Sequence, residues 1–285
     1  MLRRTFSIII ASGFFALLIS CGGSNQHTEQ NGPDSTAMRE DTMSQQTKEL
    51  VDFKFFFTIA NLPSPIEIIS AIYNNKVPYN SDLLNPTDNE SNYNTSYKKA
   101  INYGVFGIDM AYTAFYGQNQ NMLDYYTTAK KVSGKLGVGE TFEKFTDSFR
   151  ANEGNKDSLV VIIDRAYVET DKYLKANDRY IVATFVITGA ILEAQYLSVE
   201  LMKNRDKTTE NAGIYQKIFN NKLYVQNLIS LMQEIKGDPD VGRILNQLED
   251  LKKVYDEIKS VEDLNKESLL KLSAELQKIR NGIIG

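Results

Sequence analysis

The chain has 285 residues, with 32 Lys and Arg against 36 Asp and Glu, one histidine, one cysteine and no tryptophan. A formal net charge of −4 without any block of five or six basic residues excludes nucleic acid and argues against an anionic lipid surface as a partner. One cysteine cannot form an internal disulfide, and one histidine, His27, removes His-based triads, His metal sites and HExxH helices together.

The chain opens MLRRTFSIIIASGFFALLISCGG. Arg3 and Arg4 supply a positive n-region, and Phe6 to Ile19 has the length of a signal-peptide h-region, short of the roughly 18 to 20 residues that span a bilayer. Leu18, Ile19, Ser20 and Cys21 resemble the lipobox of bacterial lipoproteins. That resemblance implies cleavage before Cys21, diacylglycerol on its sulfur and an acylated new amino terminus. Each buried methylene contributes about 0.8 kcal/mol, so two or three acyl chains hold a protein on a bilayer where one does not. Residues 1–20 are therefore expected to be a signal peptide and Cys21 an anchor. Their removal takes away two positive charges and leaves a formal −6.

Residues 21–47 comprise this cysteine and a polar stretch, GGSNQHTEQNGPDSTAMREDTMSQQT, too poor in apolar side chains to offset its ordering entropy. A disordered tether is expected, with a reach of roughly 25 to 30 Å. His27 lies in it as a solvated polar residue. From residue 48 to 285 the chain is long enough for one large core or two smaller ones, with a possible sub-boundary near 237–240.

Within that region the apolar spacing predicts helices. In SPIEIISAIYNN, Ser64 can cap, Pro65 suits the first helical position and Glu67 can close a capping box, with Ile66, Ile69 and Tyr73 on one face. The following segment, rich in Asn, Asp, Ser and Pro, reads as a long loop to about residue 93. Helices are then expected at 94–117 and 119–137, with stops at Gly117 and in the run Gly134, Gly137, Gly139. Further helices are expected at 140–151, 157–175, 178–203, 209–236, 239–259 and 266–282, with Asp157, Asp178 and Asp238 as N-caps.

VVIIDRAYV could pass for a strand by propensity, but its apolar residues keep the helical period. The centre of the helix from 178, IVATFVITGAIL, is apolar all round, as in a helix buried at the middle of a bundle. Val241, Ile244, Leu248, Leu251, Tyr255 and Ile258, then Leu269, Leu272, Leu276, Ile279 and Ile283, form two heptad seams. The expected fold is all-α, a multi-helix bundle or helical-hairpin array ending in an antiparallel helical hairpin.

The SPIE segment, AINYGVFGIDMAYTAFYG at 100–117, GAILEAQYLS at 189–198 and the Asn- and Tyr-rich composition together resemble a group of uncharacterised all-helical lipoproteins from Bacteroidetes-type bacteria. The resemblance implies a helical ectodomain without known activity. Members sent to the cell surface tend to carry acids just after the cysteine. Gly22, Gly23, Ser24 and Asn25 depart from that pattern, which favours the periplasmic face of the outer membrane.

Two places put a carboxylate and a tyrosine inside apolar helix: Asp109 with Tyr112, downstream of Gly104 and Gly107, which are expected to let the helix from 178 come close, and Glu193 with Tyr196, just after Gly189. A buried carboxylate needs a partner, so each pair is a candidate ligand-recognising or buried polar cluster. No catalytic residue, metal site or cofactor is expected, because di-metal bundles need histidines and GVGET at 137–141 lacks the lysine and spacing of a phosphate loop. The expected function is a non-catalytic binding or scaffold module held on the bilayer through acylated Cys21, with an envelope protein, peptide or glycan as partner. A small-ligand pocket among the central helices is the alternative, with an acid–base hydrolase the least favoured reading.

Overall fold

The computed structural model describes residues 64–152 and 154–285; the expectations for the signal peptide, Cys21, the tether and His27 lie outside them. Among the described residues there are ten α-helices, three short 3₁₀ turns and no strand, an all-α multi-helix fold. In chain order the helices are α1 (Ile66–Asn74), α2 (Ser96–Phe115), α3 (Asn119–Lys135), α4 (Gly139–Glu143), α5 (Thr146–Ala151), α6 (Lys156–Ala176), α7 (Tyr180–Met202), α8 (Ala212–Gln233), α9 (Pro239–Glu257) and α10 (Lys266–Ile284).

The centre of the fold is the crossing of α2 and α7, the most extensive contact between any two helices. Small residues make it possible. A Cβ built on Gly104 would lie 2.1 Å from the Val186 carbonyl oxygen, and one on Gly189 would lie 1.9 Å from that of Ile101. Each helix thus sets a glycine against the other's backbone. Gly107, expected to serve the same approach, instead faces α6, where its missing side chain admits the Tyr167 ring. The Tyr167 hydroxyl donates to the carbonyls of Tyr103 and Gly104 at 3.1 and 2.8 Å.

Helix α7 is buried on nearly every side. Its hydroxyls do not spoil that burial: Thr184 donates to the Tyr180 carbonyl at 2.8 Å and Thr188 to that of Thr184 at 2.7 Å, so the threonines satisfy themselves locally. At 23 residues it is long and apolar enough by composition to cross a membrane, yet 83% of its apolar window is enclosed by the other helices. It is a core helix.

Several boundaries differ from the sequence expectation. The predicted helix at 140–151 is two, α4 and α5, because the chain turns at residues 144 and 145 so that Phe142 and Phe149 both rest on the Tyr126 ring. Asn155, not Asp157, caps α6 by accepting from the Ser158 amide at 3.2 Å. Asp178 stands one residue before Arg179, the residue that flanks the start of α7. It takes a left-handed backbone, φ 58°, in the turn between α6 and α7, a conformation that Asp tolerates better than most side chains.

Glu67 does not close a capping box; it reaches Lys217 on α8 at 3.2 Å. The Ser64 hydroxyl accepts from the Ile66 amide and donates to Asp164 on α6. Asp238 does cap α9, accepting from the amides of Asp240 and Val241.

Both heptad seams are buried along their length. Helix α9 makes its largest contact with α8, and α10 with α7. Two polar pairings orient the latter: Glu193 meets Arg280, and Glu200, two turns on, meets Ser273, so α10 runs antiparallel to α7.

Candidate functional site

Asp109 on α2 and Glu193 on α7 come together just beyond the glycine crossing, and both are almost without solvent exposure, at 0% and 1%. Their partners are not the tyrosines three residues on. Glu193 takes Arg280 of α10, whose Nε and second guanidinium nitrogen donate to the two carboxylate oxygens at 2.7 and 2.8 Å. The same guanidinium donates to the Leu83 carbonyl at 2.8 Å and lies over the Tyr196 ring, 4.3 Å from its centroid. Tyr196 therefore joins the cluster through Arg280, and Tyr112 stands apart from it. The Tyr112 hydroxyl accepts from the Asn80 amide at 2.9 Å, and its ring stacks on Tyr79.

Asp109 Oδ2 accepts from the Asn85 amide at 3.1 Å. Oδ1 has no donor, and the Asp109 carboxyl lies beside that of Glu193, itself an acceptor. Burial first, and the Glu193 charge second, push the Asp109 carboxyl well above the usual carboxylate range, against the pull of Arg280. Burial alone would depress the Arg280 cation, but the Glu193 carboxylate more than offsets it and leaves Arg280 raised. Burial also raises the surrounding phenols, with Tyr93, Tyr112 and Tyr196 pushed up to about 12.

The cluster fastens the segment between α1 and α2. Asn85, a loop residue with 0% exposure, gives its amide to Asp109, its carbonyl to the Tyr125 hydroxyl at 2.9 Å and its side-chain nitrogen to the Tyr93 hydroxyl at 3.0 Å. Tyr93 in turn donates to the Ile284 carbonyl at 3.2 Å. Farther along, Glu90 is clamped by Lys131 and Lys135 of α3. The loop is thus a strap laid over the carboxylates and bonded to α2, α3 and α10.

Two cavities lie elsewhere among the described residues. One of about 290 Å³ sits between the start of α1, α6 and α7, lined by Ile108, Tyr167, Val186 and Ala190 with Asp164 and Asp171 among its lining residues. A second of about 210 Å³ shares Ser64, Pro65 and Ile191 with it and carries Glu67, Lys217 and Tyr224. None of Asp109, Tyr112, Glu193 and Tyr196 lines either cavity.

Sequence reasoning singled out Asp109 and Glu193 but set each beside the tyrosine three residues on, and it missed Arg280 and Asn85. A signal for Arg280 was present: it falls four residues after Leu276 and three before Ile283, on the flank of a buried seam, where a charge requires a partner. Asn85 carried none, since its burial depends on the path of an irregular loop.

Among the described residues, no three His, Cys, Asp or Glu side chains are grouped so as to hold a metal ion. No known protein family, curated protein or solved structure matches this chain.

Proposed function

We propose that this protein is an outer-membrane lipoprotein, anchored through acylated Cys21 on the periplasmic face, whose helical body is a non-catalytic binding or scaffold module for an envelope protein, peptide or glycan. The carrying observation is that the two carboxylates buried at the α2–α7 crossing are bonded internally, Glu193 by Arg280 and Asp109 by the Asn85 strap, and neither lines the two cavities described above. General acid–base chemistry needs carboxyl groups of separated acidity facing one cleft that substrate can enter. The lipobox and the resemblance to helical lipoproteins support the anchor and the address.

The test has two parts. Replacing Cys21 with Ser should move the protein from the membrane to the soluble fraction. In-situ crosslinking and capture from the native envelope should recover the same macromolecular partner with wild type and with Asp109→Asn; loss of the partner only in the carboxylate variant would place function at that cluster instead.

A second reading rests on the cavity of about 290 Å³, close to the lower bound of roughly 300 Å³ for small-ligand sites. In it the protein holds a small, largely apolar molecule between α6 and α7. Ile187→Trp, which fills that space from a partly exposed position, should then abolish recovery of the small molecule without unfolding the protein.

A further inference from the structure

We propose that Asp109 is protonated at neutral pH and donates through Oδ1 to the Glu193 carboxylate, so that Asp109, Glu193 and Arg280 form a net-neutral unit on which the strap from Asn80 to Tyr93 closes. Three observations carry this. Oδ1 is buried and has no donor, and the Asp109 carboxyl lies beside a second carboxylate, Glu193; a proton between them turns a contact of two acceptors into a hydrogen bond. Two ionised acids against one guanidinium would leave an uncompensated negative charge in a site where Asp109 has no exposure, whereas one proton cancels it. Glu193 already accepts two bonds from Arg280, so the ionised partner is Glu193 and the proton belongs to Asp109.

The charged and titratable groups facing Asp109 come from every element around it. They are Tyr112 on its own helix, Tyr79 and Tyr93 on the strap, Tyr125 on α3, Tyr167 on α6, Glu193 and Tyr196 on α7, and Arg280 on α10. The phenols are all raised by burial and remain neutral through the range in which a carboxyl titrates. Asp109 is therefore the group that loses a proton as pH rises.

The carboxyl is raised above its unfolded value of 3.8, so its folded form binds the extra proton. Its stabilisation is complete below the unfolded value, falls as pH rises above it, and is lost once pH passes the folded value. When the proton leaves, repulsion between the carboxylates is relieved by admitting water. The strap, which bonds to the cluster through the Asn85 amide and the Leu83 carbonyl, is the covering element that can lift.

The test follows unfolding of the full chain in detergent by denaturant from pH 4 to 9, for wild type and Asp109→Asn. Asparagine keeps a donor toward Glu193 and an acceptor for the Asn85 amide, so it mimics the protonated acid. The ratio of wild-type to variant folding constants should fall about tenfold per pH unit across the window, then level. A ratio independent of pH would overturn the proposal. Infrared spectra of wild type provide a measurement that does not depend on the variant folding. A carbonyl stretch of a protonated carboxylic acid at pH 7, shifted by deuterium exchange, supports it, and the absence of that band overturns it.

Discussion

Glu193 and Arg280, 87 residues apart in the chain, meet edge to edge with two charge-assisted hydrogen bonds inside the bundle. The pair ties α10 to α7, and through the Leu83 carbonyl it ties both helices to the strap. Each ion has left water to get there, and the geometry compensates: two parallel bonds, an aromatic face below the guanidinium and a third acceptor.

Arg280→Met should therefore destabilise the fold by about 3 to 5 kcal/mol, because it leaves a carboxylate with no cation in a dry site. Glu193→Gln combined with Arg280→Met should recover much of that loss, since neither partner is then an isolated charge. Urea midpoints for the two single variants and the double variant give the coupling. Strict additivity would mean that the pair contributes nothing as a pair.

The two glycines of α2 should respond differently to alanine. At Gly104 the added methyl meets backbone atoms of α7, so the helices must part, at about 1 to 3 kcal/mol typical of overpacking. At Gly107 it meets the far end of Tyr167, a partly exposed side chain that can swing toward solvent at the loss of two hydrogen bonds to carbonyls. Denaturant midpoints should rank Gly104→Ala below Gly107→Ala, and the reverse order would show that α7 yields more easily than Tyr167.

The helices were legible because their apolar residues repeat at the helical period and because the chain marks its ends with Gly117, Gly137 and Asp238. The heptad seams of α9 and α10 were readable down to single residues. What could not be read was long-range: that Glu193 meets Arg280 instead of Tyr196, or that Gly107 faces Tyr167 instead of α7. Local spacing puts residues on a face without saying which neighbour covers it. The strap was hardest of all, since Asn85 is buried by its bonds to Asp109, Tyr93 and Tyr125 and not by any pattern in its neighbours.

The lone Cys21 and the lack of a metal-binding group among the described residues predict a fold that relies on core packing. Thermal midpoints measured with and without a chelator, and with and without a reductant, should coincide. A substantial drop with either reagent would reveal a staple formed by residues outside 64–285.

The strap is held at two points whose pH dependences have opposite sign. At one, Asp109 is raised, so its contribution weakens as pH climbs above 3.8. At the other, burial would raise Glu90, but hydrogen bonds from Lys131 and Lys135 outweigh it and bring the carboxyl below its usual 4.5. A depressed carboxyl stabilises above its unfolded value, and that contribution disappears as pH falls through the folded one. Hydrogen exchange, corrected for its intrinsic pH dependence, should therefore find the amides of residues 80–93 best protected at intermediate pH, with protection lost on both sides. Glu90→Gln should remove the acid-side loss and Asp109→Asn the alkaline-side loss, each leaving the other limb in place. A single variant that flattened both limbs would mean that the strap opens as one unit governed by one group.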